Sequence, residues 1–332
     1  MAKLLLCHPL FLSQNPAEQE LKSPYFPLGL LYLAAYVRER QHQVAIFDGT
    51  FAEGEAAFVE ALAREQPDVV GISAVLPNRQ MALQLAQIAH DQGIFVLLGG
   101  PDPTRDPRLY LNYPQVDVVA HHEGEETLVA LLNLVEQGQW TPAALYAEQG
   151  VAFRDGDGQI VVNRPRPYLE NLDELPPPAR DLIDMDKYLD TWRENKGYAS
   201  LTIATSRGCP FGCEWCQDSV NGSGFRQRSP ESVAAEMKAL KETYQIDRLR
   251  LVDDVDGLSR EWLEEWAVAA ETQEAAIPFE ALFDLERRDI PLLDIRDPLC
   301  KKRNVYFPTV NEHRHAPPQE VASGKWQVAS GK

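Results

Sequence analysis

Leu201-Thr202-Ile203-Ala204-Thr205-Ser206-Arg207-Gly208-Cys209-Pro210-Phe211-Gly212-Cys213-Glu214-Trp215-Cys216 is the stretch on which fold and chemistry both turn. Leu201–Thr205 reads as a short strand, and a loop carrying three thiols follows it directly. Gly208 and Gly212 permit backbone angles closed to other residues, and Pro210 stiffens the loop between the first two thiols. Three thiolates on one short loop can hold three irons of a cubane cluster. The fourth iron then has no protein ligand, and a substrate can bind there. An electron-transfer ferredoxin would supply a fourth cysteine, but Cys7 and Cys300 are distant and lie in no ligand motif. The alternatives are a zinc site, which would want a second C-x-x-C pair, and a structural disulfide.

Composition bounds the setting. Five cysteines, three of them in this loop, do not form the even, dispersed set of an extracellular disulfide framework, so a reduced, cytoplasmic location is expected. The net charge of −18 argues against nucleic acid or an anionic membrane as partner. The apolar run at Leu4–Cys7 is cut by His8 and Pro9, too short for a signal-peptide core or a membrane span.

Working upstream, apolar runs at Leu4–Cys7, Val44–Phe47, Val69–Ser73, Phe95–Leu98 and Val116–Ala120 alternate with helical stripes. Leu30, Leu33, Ala34 and Val37 form one stripe; Met81, Leu85, Ile88 and Ala89 another; Leu128, Leu131, Leu132 and Val135 a third. Pro27 suits a first helical position and Gly93 a helix stop. Five βα units imply an α/β fold, a flavodoxin-like, doubly wound parallel sheet covered on both faces. Such sheets bind ligands at the carboxyl ends of their strands. The candidate loops are His8–Pro9, Ser73–Pro77, Gly99–Pro103 and His121–Thr127. Gly99 and Gly100 would let a ligand approach the backbone. Glu123-Gly124-Glu125-Glu126 also suits an ordinary acidic helix N-terminus.

Val151–Arg154 and Gln159–Asn163 flank Asp155-Gly156-Asp157-Gly158, a hairpin signal, and a proline-rich stretch through Pro178 reads as an extended linker. Downstream of the cysteines, Ser229 as N-cap and Pro230 as first residue open a helix whose core stripe is Val233, Met237, Leu240 and Tyr244. A strand at Leu249–Val252 then runs into Asp253 and Asp254.

The C-x-x-x-C-x-x-C loop, with Trp215 in the aromatic position, resembles the signature of the radical S-adenosylmethionine (SAM) superfamily. Pro27-Leu28-Gly29-Leu30, Asp48-Gly49, Gly71-Ile72-Ser73, Gly99-Gly100-Pro101 and Glu123–Thr127 are similar to the cobalamin-binding domain that precedes the barrel in cobalamin-dependent members. The resemblance implies a [4Fe–4S] cluster on Cys209, Cys213 and Cys216, with SAM chelated at the open iron and cleaved by one electron to a 5′-deoxyadenosyl radical. It implies SAM contacts from Phe211, Trp215, Arg226, Arg228 and Asp253, and cobalamin contacts from Ser73, Gly99, Gly100, Glu123 and Gly124. The D-x-H-x-x-G motif of corrinoid carriers with a histidine ligand is absent, as it commonly is in this subfamily. The implied activity is methyl transfer to an unactivated centre; cyclisation or rearrangement in the same subfamily is the alternative. The implied partners are a small-molecule, lipid or tetrapyrrole-like substrate, a flavodoxin or ferredoxin as reductant, and a further subunit.

The expected organisation is a cobalamin-binding-like domain over residues 1–140, a hairpin and proline-rich linker over 141–196, a partial radical SAM barrel over 197–300 and a disordered tail over 301–332. Only three strand-like runs, at 201–205, 249–252 and 279–283, stand where a full barrel of this kind has six. The tail repeats Val-Ala-Ser-Gly-Lys and contains His313 and His315, which read as solvated. A minimal protein completed by another subunit, a truncated chain and a non-catalytic corrinoid- or cluster-binding remnant are the competing explanations.

Overall fold

The computed structural model describes residues 1–211, 220–255 and 259–281. Five parallel strands, β1 (Lys3–His8), β2 (Gln43–Asp48), β3 (Val69–Ser73), β4 (Phe95–Gly99) and β5 (Val118–Ala120), stand in the order 2-1-3-4-5. This is the flavodoxin-like order expected from the alternating pattern. Helices α1 (Leu28–Glu39), α2 (Glu55–Glu65), α3 (Arg79–His90) and α4 (Glu125–Glu136) cover its two faces. The strands are buried on both sides because each face meets helices: Leu5, Val70, Val96 and Val119 pack with α2 and α3, while Leu4, Leu6, Leu97 and Val118 pack with α1 and α4.

The hairpin forms as its turn chemistry dictates. Asp155 Oδ1 accepts from the backbone N–H of Asp157 and Gln159, and Gly158 sits at φ +76°. Its strands, β6 (Val151–Arg154) and β7 (Ile160–Val162), do not stand apart in a linker. They extend the first sheet, β6 pairing antiparallel with β5 and so covering what would be an exposed edge. The segment that follows is also less extended than expected, since Met185–Lys196 forms α5. Asp184 caps it, and Tyr188, Leu189 and Trp192 are its buried face.

The second sheet contains β8 (Ser200–Ile203), then β11 (Arg248–Leu251) and β12 (Phe279–Glu280), parallel and in sequential order. Between β8 and β11 lie a two-stranded stem, β9 (Ser206–Arg207) against β10 (Arg226–Gln227), and helix α6 (Pro230–Tyr244). Ser229 caps α6 by accepting from the Ser232 N–H, as the sequence predicts, and Val233, Met237 and Leu240 are buried. Helix α7 (Arg260–Thr272) joins β11 to β12. The runs at 282–332, including the expected tail, His313 and His315, lie outside the described residues.

Helix α1 belongs to two cores. Leu30, Ala34 and Val37 face the first sheet, while Leu28, Leu31 and Tyr32 pack with Met185, Tyr188, Leu189 and the second sheet. That is why the helix is apolar nearly all round.

Candidate functional site

The carboxyl ends of both parallel sheets open onto one cavity of about 420 Å³. Strands β1, β3, β4 and β5 contribute His8, Ser73, Gly99 and Ala120 from below; Ala204, Ser206, Arg207, Val252 and Asp254 face them from the second sheet. The cavity runs down between the first sheet and helices α1 and α4, with Leu6, Gly71 and Leu97 on one wall and Leu30, Leu33 and Leu128 on the other. Strand alternation puts His8 on the same face as Leu6, above the apolar shaft. At the floor, Gly100 has φ +104°, and a Cβ there would stand 2.8 Å from Ala74 O and 3.3 Å from Ser73 Oγ. Only glycine keeps this surface open.

Among the described residues, two polar atoms in these walls are buried with no partner: His8 Nε2 and Ser206 Oγ. Burial pushes the His8 imidazole below its ordinary value despite the nearby Asp48 carboxylate, so it is neutral near pH 7. An unpaired buried polar group costs about 1–3 kcal/mol, and a ligand bearing amides or hydroxyls would relieve it. Tyr32, also lining the cavity, has its hydroxyl pushed up to about 12 by burial and by Glu236, against the pull of neighbouring arginines.

The five residues expected to contact cobalamin, Ser73, Gly99, Gly100, Glu123 and Gly124, come from three separate loops and all line this cavity. The Glu123 carboxylate is nevertheless engaged by protein: it accepts from Arg207 at 3.1 Å, from Arg226 at 2.8 Å and from the Leu169 N–H at 2.8 Å. The neighbouring His122 is pinned through its backbone N–H to Thr104 Oγ1 and its ring to the Tyr168 hydroxyl.

Of the cluster loop, Cys209 is partly exposed and its N–H donates to Gly222 O at 3.3 Å. Gly208, at φ +83°, has Gly224 O only 2.2 Å from where a Cβ would stand, so the loop closes on itself. Cys213, Trp215 and Cys216 lie outside the described residues; Phe211 is described and half-buried. Cys7 is buried in the first core, which pushes its thiol up and keeps it from serving as a further ligand.

Three residues expected to face SAM have other partners. Arg226 donates to Glu123, to Leu169 O at 2.8 Å and to Asn221 O at 3.0 Å. Arg228 donates to Glu236, to Ala204 O at 3.0 Å and to Ser232 Oγ at 3.0 Å. Asp253 accepts from the N–H groups of Thr205 and Ser206 and from the Thr205 hydroxyl, tying β11 to the segment between β8 and β9. The residue that lines the cavity is its neighbour Asp254, which accepts from the Gly208 N–H at 3.0 Å and from Asn221 at 3.2 Å. The sequence singles out the Asp253–Asp254 pair but points to Asp253 alone as the SAM contact, and it does not mark Ser206, Arg207 or Tyr32 as site residues. Asp253 and Asp254 are indistinguishable in sequence, and Arg207 was hidden in the motif that drew attention to the thiols beside it.

The described residues thus form a doubly wound sheet and a second, smaller parallel sheet that share one cavity at their carboxyl ends, with Cys209 close to its rim. Residues 19–132 match the B12 binding domain family. An uncharacterised methyltransferase of Pyrococcus horikoshii is 35% identical over 243 residues, 70% of this chain and 50% of the relative. An anaerobic magnesium-protoporphyrin IX monomethyl ester cyclase of Rubrivivax gelatinosus is 27% identical over 263 residues, 78% of this chain and 46% of the relative. Among solved structures, the cobalamin-dependent SAM radical enzyme OxsB superposes with a TM-score of 0.71 at 18% identity, over 86% of this chain and 40% of that one, a likeness of fold. The chain thus carries a match to the B12 binding domain and is similar, over its described length, to the fold of a cobalamin-dependent SAM radical enzyme. It spans about half the length of the curated relatives it matches.

Proposed function

We propose that this chain holds a [4Fe–4S] cluster on Cys209, Cys213 and Cys216, SAM at the open iron and a cobalamin in the shared cavity, and transfers a methyl group to an unactivated centre. The observation that carries the reading is the cavity itself, placed at the carboxyl ends of both sheets and rimmed by the stem of the cysteine loop. When bound, the cluster would supply reductive cleavage of SAM and the cobalamin would carry the methyl group.

The chain's own residues do the rest. Gly99 and Gly100 present bare backbone to a flat macrocycle, and Ser73 and Gly124 flank it. The unpaired His8 Nε2 and Ser206 Oγ suit the amide side chains of a corrinoid, while the shaft below takes its less polar appendage. Asp254 fixes the backbone of Gly208 immediately before the first thiolate. Phe211 and Trp215 remain the aromatic candidates for adenine; Arg226, Arg228 and Asp253 serve by holding the loop in place. The substrate is a small molecule of lipid or tetrapyrrole-like kind, a reading supported by the tetrapyrrole cyclase among the relatives. A flavodoxin or ferredoxin would deliver the electron in a reduced cytoplasm. No helix among the described residues is long and apolar enough to cross a membrane. The cyclase among the relatives keeps ring formation as the second reading.

Anaerobic reconstitution with iron and sulfide, then SAM, hydroxocobalamin and a reductant, tests the proposal. Formation of 5′-deoxyadenosine, lost in Cys213→Ala, together with retained corrinoid absorbance, is the expected result. A cluster that assembles but never consumes SAM would sink it.

A further inference from the structure

The residues between Arg207 and Arg226 leave and rejoin the fold through the β9–β10 stem, in which those two arginines stand directly opposite each other. Like charges facing across an antiparallel pair repel. Their counter-charges come from the other domain. Glu123 and Glu125, on either side of Gly124, reach across from the loop that opens α4. Arg207 donates to Glu123 at 3.1 Å and to Glu125 at 2.6 Å, and Arg226 donates to the same Glu123 oxygen at 2.8 Å. All four side chains are at most 12% exposed, so solvent and salt screen these attractions weakly. The other oxygen of Glu123 accepts from the Leu169 N–H, which fixes the carboxylate in place. Gly124, between the two glutamates, is itself a wall of the cavity. Glu123 and Glu125 line it too, so one short loop forms part of the cavity wall and, through the same two carboxylates, holds the cluster stem.

We propose that Glu123 is a positioning residue that couples the two cofactor sites, so that loading the cluster raises the affinity of the cavity for cobalamin. The inference rests on the function proposed above. A cluster that orders the stem also orders Glu123 and Gly124, and the corrinoid then meets a wall already in its bound arrangement. By linkage the corrinoid must favour the loaded cluster loop by the same factor.

The full chain is titrated anaerobically with hydroxocobalamin by equilibrium dialysis, once as apo-protein and once after reconstitution with iron and sulfide. In the wild type the reconstituted protein is expected to bind about fivefold more tightly or better. Glu123→Gln should load the same amount of iron and still bind the corrinoid, but with equal affinity in both states. Arg226→Gln, which leaves the Arg207–Glu125 pair intact, should give an intermediate ratio, and it carries the test if Glu123→Gln loses its cooperative thermal transition. Leu85→Ala, a truncation in the core on the opposite face of the first sheet, should lower the melting temperature and keep the wild-type ratio. Equal affinities in a wild type that loads both cofactors, or a ratio unchanged in both joint variants, would overturn the coupling alone. A wild type that takes up neither iron nor corrinoid would overturn the proposed function as well.

Discussion

Gly100 shows how much one residue decides at this site. Its φ of +104° and the 2.8 Å approach of Ala74 O leave no room for a Cβ, so a side chain there would force the Gly99–Gly100 backbone, which lines the cavity, to shift. Left-handed strain for an L-residue costs about 1–2 kcal/mol, and each 1.4 kcal/mol is about tenfold in affinity. Gly100→Val should weaken hydroxocobalamin binding at least about tenfold while iron loading is unchanged; spectrophotometric titration of both cofactors reads this. The pair Asp253 and Asp254 makes the complementary point. One carboxylate clamps the backbone between β8 and β9, and its neighbour faces the cavity, because adjacent residues leaving a strand point to opposite sides.

Helix α6 joins local and tertiary rules. Its cap and stripe are local, but Glu236 on its inner side is buried and meets Arg180 at 2.8 Å as well as Arg228. Burial by itself raises the Glu236 carboxyl; the two guanidinium groups outweigh it and hold the carboxyl below its ordinary value. A carboxyl depressed in the folded state adds stability above its unfolded value of about 4.3, and that stability is lost as pH falls through the folded value. Thermal melts from about pH 7 down to about pH 3 should therefore show an acid-side decline that Glu236→Gln flattens. At neutral pH the same variant should lose about 3–5 kcal/mol, since it leaves buried arginines short of their counter-charge.

At the scale of the whole molecule, α1 is the shared member of two cores, and the two sheets meet across it. Leu31 is fully buried on the side facing α5 and the second sheet, and its carbonyl accepts from the Ala179 N–H. Leu31→Ala should destabilise by about 2–5 kcal/mol. Because the helix serves both cores, the described parts of the molecule should melt together. Near- and far-ultraviolet circular dichroism are expected to give one coincident transition, shifted down as a unit in the variant. Two separated transitions would show that the halves are independent.

The alternation that makes the first sheet doubly wound, the α6 cap, the hairpin turn and the glycines at Gly99 and Gly100 were legible in the chain, whereas Ser73, Glu123 and Gly124 were singled out by resemblance and are found lining the cavity. Each of the former rests on a local cause: periodicity, a side chain that caps its own helix, or a glycine required by the backbone. The cysteine spacing belongs with them, since three thiols on one loop are a property of a few consecutive residues. Only the tertiary structure decided where the hairpin docks, that α1 has two buried faces, and that Arg226 and Arg228 are held by carboxylates of the protein. Those outcomes depend on residues about a hundred positions apart, Glu123 with Arg226 among them, and charge pairing over such separations leaves no period or spacing to read. The three-thiol loop accordingly reads from sequence as a cluster site, whereas the joint that ties its stem to the cobalamin-binding domain is visible only once the chain is folded.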